Sequence, residues 1–167
     1  MTSTFVAILM GSDSDLPVMQ ATIDILKQFD INHEVRVRSA HRTPEAAKAY
    51  VQDAEARGCK VFICAAGLAA HLAGAVAGMT TRPVIGVPVD NGPLQGHDAL
   101  LSTVMMPGGI PVATVAIGKA GAKNAGYLAA QILGVADQSI ADKVQAERKA
   151  NAIALLAKDD AMQAKLA

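Results

Sequence analysis

The chain has 167 residues, 51% hydrophobic and only 18% charged, with a formal net charge of zero. No block of lysine and arginine offers the basic patch that a nucleic-acid partner requires, and no apolar run reaches the ~18 residues of a membrane span. The stretch Met1–Phe5 lacks a basic region followed by a long apolar one, so no signal peptide is expected. Cys59 and Cys64 have no partner at metal or redox spacing and read as small, reduced core residues of a cytoplasmic protein.

Apolar blocks alternate with helical patterns along the chain. Phe5 to Met10 reads as a buried strand ending at Gly11, and Met19, Ile23, Leu26 and Phe29 fall at helical spacing over residues 16–29. Asn32 to Arg38 reads as a second strand. The following helix over 43–57 has Thr43 as its expected N-cap, Pro44 at its first position and Gly58 as its stop. Val61 to Ala66 is the third strand, followed by a small-residue helix over 69–77, and Val84 to Val89 is the fourth. A loop from Asp90 to His97 leads into a short helix, Val112 to Ile117 is the fifth strand, and Ala120 to Leu133 is a helix ended by Gly134. Strands that alternate with helices predict an α/β fold, a three-layer parallel sheet of about five strands covered on both faces. The expected organisation is one domain over 1–167. Its core is 1–134, and 138–167 form a helical C-terminal arm, either solvated or laid on a neighbouring subunit. So apolar a chain of this size points to a homo-oligomer.

Ligands of such sheets bind where the strand-to-helix loops emerge. Three loops carry polar residues to that edge: Gly11-Ser12-Asp13-Ser14-Asp15, Ser39-Ala40-His41-Arg42-Thr43 and Gly67-Leu68-Ala69-Ala70-His71. The first joins a strand to a helix N-terminus, which favours an anion, yet Asp13 and Asp15 would repel a bare phosphate and suit a ribose diol better. Capping of the helix by Ser12, Ser14 or Asp15 explains the same residues equally well. In the second loop Arg42 offers a bidentate fork for phosphate or carboxylate, and His41 belongs to the residue type suited to acid–base work near neutrality. The plainer role for His41 is a loop histidine bonded to a backbone carbonyl. His71 is expected just inside a helix, where a satisfied core histidine competes with a functional one, while His33 and His97 read as structural. The four histidines show no metal-ligand spacing, and Ser12 or Ser39 lacks the G-x-S-x-G context of a hydrolase.

Five segments in register make the chain resemble a known family: Gly11-Ser12-Asp13-Ser14-Asp15, Ser39-Ala40-His41-Arg42-Thr43-Pro44, Ala69-Ala70-His71-Leu72, Met106-Pro107-Gly108-Gly109-Ile110-Pro111-Val112 and Ala116-Ile117-Gly118-Lys119-Ala120-Gly121-Ala122. From about Phe5 to Gly134 the chain resembles the class I 5-(carboxyamino)imidazole ribonucleotide mutases, the catalytic subunits of phosphoribosylaminoimidazole carboxylase. The resemblance implies a flavodoxin-like subunit in a homo-octamer, without metal, nucleotide cofactor or biotin. It also implies isomerisation of 5-(carboxyamino)imidazole ribonucleotide to 4-carboxy-5-aminoimidazole ribonucleotide, a step of purine biosynthesis. His41 takes the place of the catalytic histidine, Ser12, Asp15 and Arg42 those of substrate-binding residues, and Ser39, Gly67 and His71 line the same site. The chain departs from the family pattern at Leu68, where a second glycine is common, at Ala73, where proline is common, and in the loop Asp90 to His97. Two other activities compete: direct carboxylation of aminoimidazole ribonucleotide, whose enzymes resemble a Ser-Ala-His-Lys pattern, and a non-catalytic nucleotide-binding module.

Overall fold

The computed structural model describes residues 4–166. The first three residues of the stretch read for a signal peptide, and both ends of the expected domain, lie outside the described residues. The elements run β1 (Phe5–Met10), α1 (Leu16–Gln28), β2 (His33–Val37), α2 (Pro44–Ala56), β3 (Cys59–Ala66), α3 (Leu72–Ala77), β4 (Val84–Pro88), α4 (His97–Val104), β5 (Ala113–Thr114), α5 (Gly118–Gly134) and α6 (Gln138–Leu166). All strand pairs are parallel, in the order β2-β1-β3-β4-β5. This is the flavodoxin-like order, with its switch point between β1 and β3.

Period-two alternation divides the strands between two cores. Val6, Ile8 and Met10 of β1 and Val61, Ile63 and Ala65 of β3 meet α1 and α5 on one face. Phe5, Ala7 and Leu9, with Cys59, Phe62 and Cys64, meet α2 and α3 on the other. β1, β3 and β4 thus bury both faces, which is why they read as unbroken apolar runs. Phe62 is fully buried, and truncating it to alanine would cost about 3–5 kcal/mol. Both cysteines are free and buried, and burial pushes the Cys59 thiol up to about 11.

Several expected boundaries move. β5 keeps only Ala113–Thr114 of the expected 112–117, because this edge strand has one neighbour and pairs with β4 over two residues. The small-residue helix starts at Leu72 rather than Ala69, so His71 stands at its N-cap and not inside it. Thr43 occupies the N-cap of α2 without capping it. Its hydroxyl instead accepts from Ser39 N–H at 3.0 Å and donates to the Ser39 carbonyl at 3.1 Å, tying the second loop closed.

The 29-residue α6 is about 44 Å long. Its first half packs Ile140 and Val144 against the α1–α5 core, and Glu147 accepts a hydrogen bond from the Tyr127 hydroxyl. Beyond that, Ile153, Leu155, Leu156, Met162 and Leu166 are exposed. No helix among the described residues is long and apolar enough to cross a membrane.

Candidate active site

The strand register brings the loop residues together. Met10 is paired with Val37 on one side and Ala65 on the other, and Ala66 with Pro88. The ladders continue one step past the strands through Gly11 N–H to the Ala65 carbonyl, Arg38 N–H to Met10 and Val89 N–H to Ala66. Four loops therefore leave the sheet at one level and enclose a crevice of about 500 Å³. Every sequence-expected site residue lines it: Ser12, Asp15, Ser39, His41, Arg42, Gly67 and His71.

The first loop is a single 3-10 turn over Asp13–Asp15 closed by a capping box. Ser12 Oγ accepts from Ser14 N–H at 3.3 Å, and Asp15 Oδ2 accepts from Ser12 N–H at 3.1 Å. The capping alternative is thus realised, and it leaves Asp15 facing the crevice. That carboxylate is 3% exposed, and burial raises its pKa above the ordinary carboxylate value. Hydrogen bonds from Ser12 and Asn91 and the charge of Arg42 oppose the rise, while Asp13 adds to it. In the second loop Ser39 Oγ accepts from Arg42 N–H at 3.1 Å. The Arg42 guanidinium reaches across and donates through Nη2 to the Gly11 carbonyl at 2.7 Å. One edge of the fork is so anchored between the first two loops, and its other N–H groups remain for an anion.

His41 and His71, thirty residues apart, meet directly through Nε2 and Nδ1 at 2.8 Å. His33 and His97 bond the backbone carbonyls of Ile31 and Leu94 and stay outside the crevice. Ala40, Ala66 and Ala69 form small apolar wall, whereas Ala70 turns away, its N–H bonded to Ser102 Oγ. One lining residue escaped the sequence reading, Asn91, whose Nδ2 donates to Asp15 Oδ1 at 3.2 Å. Its only signal was its place in the loop that departs from the family pattern. Among the described residues no group of three or more His, Cys, Asp or Glu is arranged to hold a metal ion.

A family model described as AIR carboxylase matches residues 5–153. The chain belongs to the AIR carboxylase family. Within the AIR carboxylase family it is similar to the N5-carboxyaminoimidazole ribonucleotide mutase of Vibrio parahaemolyticus, 53% identical over 152 residues that cover 91% of this chain and 94% of the relative. It is also similar to the protein of that name from Thermotoga maritima, 56% identical over 140 residues, covering 84% and 81% of the two chains. Among solved structures, Treponema denticola PurE superposes with a TM-score of 0.85 at 34% identity, over 94% of this chain and 97% of that one.

Proposed function

We propose that this chain converts 5-(carboxyamino)imidazole ribonucleotide to 4-carboxy-5-aminoimidazole ribonucleotide by releasing and recapturing CO2, with His41 moving the proton. The curated relatives of about half identity carry the mutase name, which supports the isomerase role in purine biosynthesis. The observation that carries the residue assignment is the shared crevice: a histidine, an arginine and a buried aspartate converge at the switch point of the sheet.

The chemistry fits those groups. Protonating the carbamate nitrogen breaks the N–C bond and frees CO2, and the electron-rich ring carbon 4 then attacks the same CO2. The proton left on carbon 4 must be removed to restore the aromatic ring. One histidine can give the first proton and take the second, which leaves the enzyme unchanged. Arg42 supplies cationic N–H donors for the phosphate or carboxylate, Asp15 accepts from the ribose hydroxyls, and Ser12, Ser39, Gly67 and His71 complete the wall. Recapture competes with escape of CO2, so a small apolar wall such as Ala40, Ala66 and Ala69 helps by proximity.

The working form is a cytoplasmic homo-octamer, with the outer half of α6 as an arm on a neighbouring subunit. Its five exposed large apolar side chains, Ile153 to Leu166, are surface that such a neighbour would cover. Direct carboxylation is tested by supplying aminoimidazole ribonucleotide at ambient and at excess bicarbonate. The mutase reading expects negligible turnover at ambient bicarbonate, and efficient turnover there would overturn it.

A further inference from the structure

We propose that Asn91 is a positioning residue that orients the Asp15 carboxylate for substrate, and that Leu68 and Gly92 hold it there. The inference rests on the reading of Asp15 as a substrate-binding group. Both Asp15 oxygens carry a donor: Oδ2 takes the Ser12 N–H at 3.1 Å, and Oδ1 takes Asn91 Nδ2 at 3.2 Å. Ser12 is part of the same turn, so among the described residues only Asn91, 76 residues away in sequence, ties this carboxylate to the far wall of the crevice by a hydrogen bond. Two fixed donors set the plane of the carboxylate and leave its remaining lone pairs for hydroxyls of a ribose.

Asn91 has a built seat. A Cβ at Gly67 would lie 3.1 Å from Asn91 Cβ and 3.3 Å from Nδ2, so a side chain at residue 67 would press the asparagine out of place by a few tenths of an ångström. The next residue, Gly92, has φ +87°, and a Cβ there would sit 2.6 Å from Leu68 Cδ2. Leu68 itself stands at φ +56°, a conformation that costs a side-chain-bearing residue and that its packing must hold. Two of the three departures from the family pattern thus meet in space: the leucine of the third loop occupies the room that a glycine in the Asp90 to His97 loop leaves. This interlock fixes the fourth loop against the loop that bears His71, and it presents the Asn91 amide to Asp15.

The charged groups facing Asp15 are Asp13 on its own turn and Arg42 on the second loop, and His41 and His71 line the same crevice. Loss of the Asn91 donor leaves burial and Asp13 opposed by Arg42 and the Ser12 N–H alone. The Asp15 pKa then rises further.

The test compares parent, Asn91→Asp, Asn91→Ala and Asp15→Asn, measuring kcat and KM for 5-(carboxyamino)imidazole ribonucleotide across pH, with thermal melting as a check of folding. Asn91→Asp is isosteric at an exposed loop position, so it reports even if the alanine variant fails to fold. The expected result is a KM raised about tenfold, kcat within about twofold, and an acid limb of 1/KM displaced to higher pH. A parental KM overturns the proposal, as does a raised KM with an unmoved pH profile. If Asp15→Asn binds substrate as tightly as the parent, the reading of Asp15 fails. If it binds weakly while both Asn91 variants behave as the parent, only the role of Asn91 fails.

Discussion

His41 Nε2 lies 2.8 Å from His71 Nδ1, with the two rings edge to face at 84°. One N–H fills that contact. The contact also orients the His41 ring and, on the proposed mechanism, leaves its Nδ1 as the nitrogen for proton transfer. Replacing His71 by alanine is therefore expected to lower kcat about 10–100-fold through loss of that orientation, with a smaller change in KM. Steady-state kinetics on the folded variant decide it, and an unchanged kcat would remove His71 from the assignment.

Arg42 is anchored at one edge by the Gly11 carbonyl and keeps other donors for an anion. Arg42→Ala should weaken substrate binding about 10–100-fold, the loss of one or two hydrogen bonds to a charged group. Arg42→Lys should restore only part of it, since an ammonium cannot span the Gly11 carbonyl and the anion as a fork does. Titration calorimetry with substrate or product reads the effect directly.

On the proposed reading, Asp15 gives the acid limb of substrate binding. Burial raises its pKa above the ordinary carboxylate value, so binding that needs the anion is complete above the raised pKa. Binding is lost as pH falls through it, earlier than an exposed aspartate would require. A plot of 1/KM against pH should show this limb in the parent and lack it in Asp15→Asn.

Glu34 runs the other way, and through folding rather than binding. Its carboxylate accepts from the Arg57 guanidinium and the Tyr50 hydroxyl, and the Arg57 hydrogen bonds lower its pKa. Its contribution to stability is present above the unfolded-state pKa and fades as pH falls through the lowered folded one. Both side chains are partly exposed, so Glu34→Gln should cost only about 1 kcal/mol near neutrality and nothing at strongly acidic pH. Denaturant midpoints at the two pH values measure the difference.

The doubly buried strands were legible because β1, β3 and β4 have no polar face to blur them, α2 because Pro44 and Gly58 mark its ends, and α1 because its apolar residues recur at helical spacing behind Pro17. β5 was overrun because Val112 to Ile117 has strand composition, while its single partner allows only two paired residues. The start of α3 was misplaced because Ala69 and Ala70 favour helix in isolation, yet the loop holds Leu68 at positive φ and Ala70 N–H on Ser102. The meeting of His41, Arg42 and Asp15 in one crevice could be read because each sits on a strand-to-helix loop of known destination. Asn91 could not, since its partner lies 76 residues away and is reached only through the packing of Leu68 on Gly92. Thr43 shows the same limit: its type and place suit a cap, but the Ser39 backbone is the nearer partner.

The most direct measurement follows 5-(carboxyamino)imidazole ribonucleotide by ultraviolet absorbance without ATP or added bicarbonate, with the parent and with His41→Asn. The parent should turn the substrate over to 4-carboxy-5-aminoimidazole ribonucleotide, and His41→Asn should bind it with similar affinity while losing about 10²–10⁴-fold in rate. A His41→Asn variant with parental turnover would contradict the assignment of the proton-transfer residue, and a parent that leaves this substrate unchanged would contradict the reaction itself.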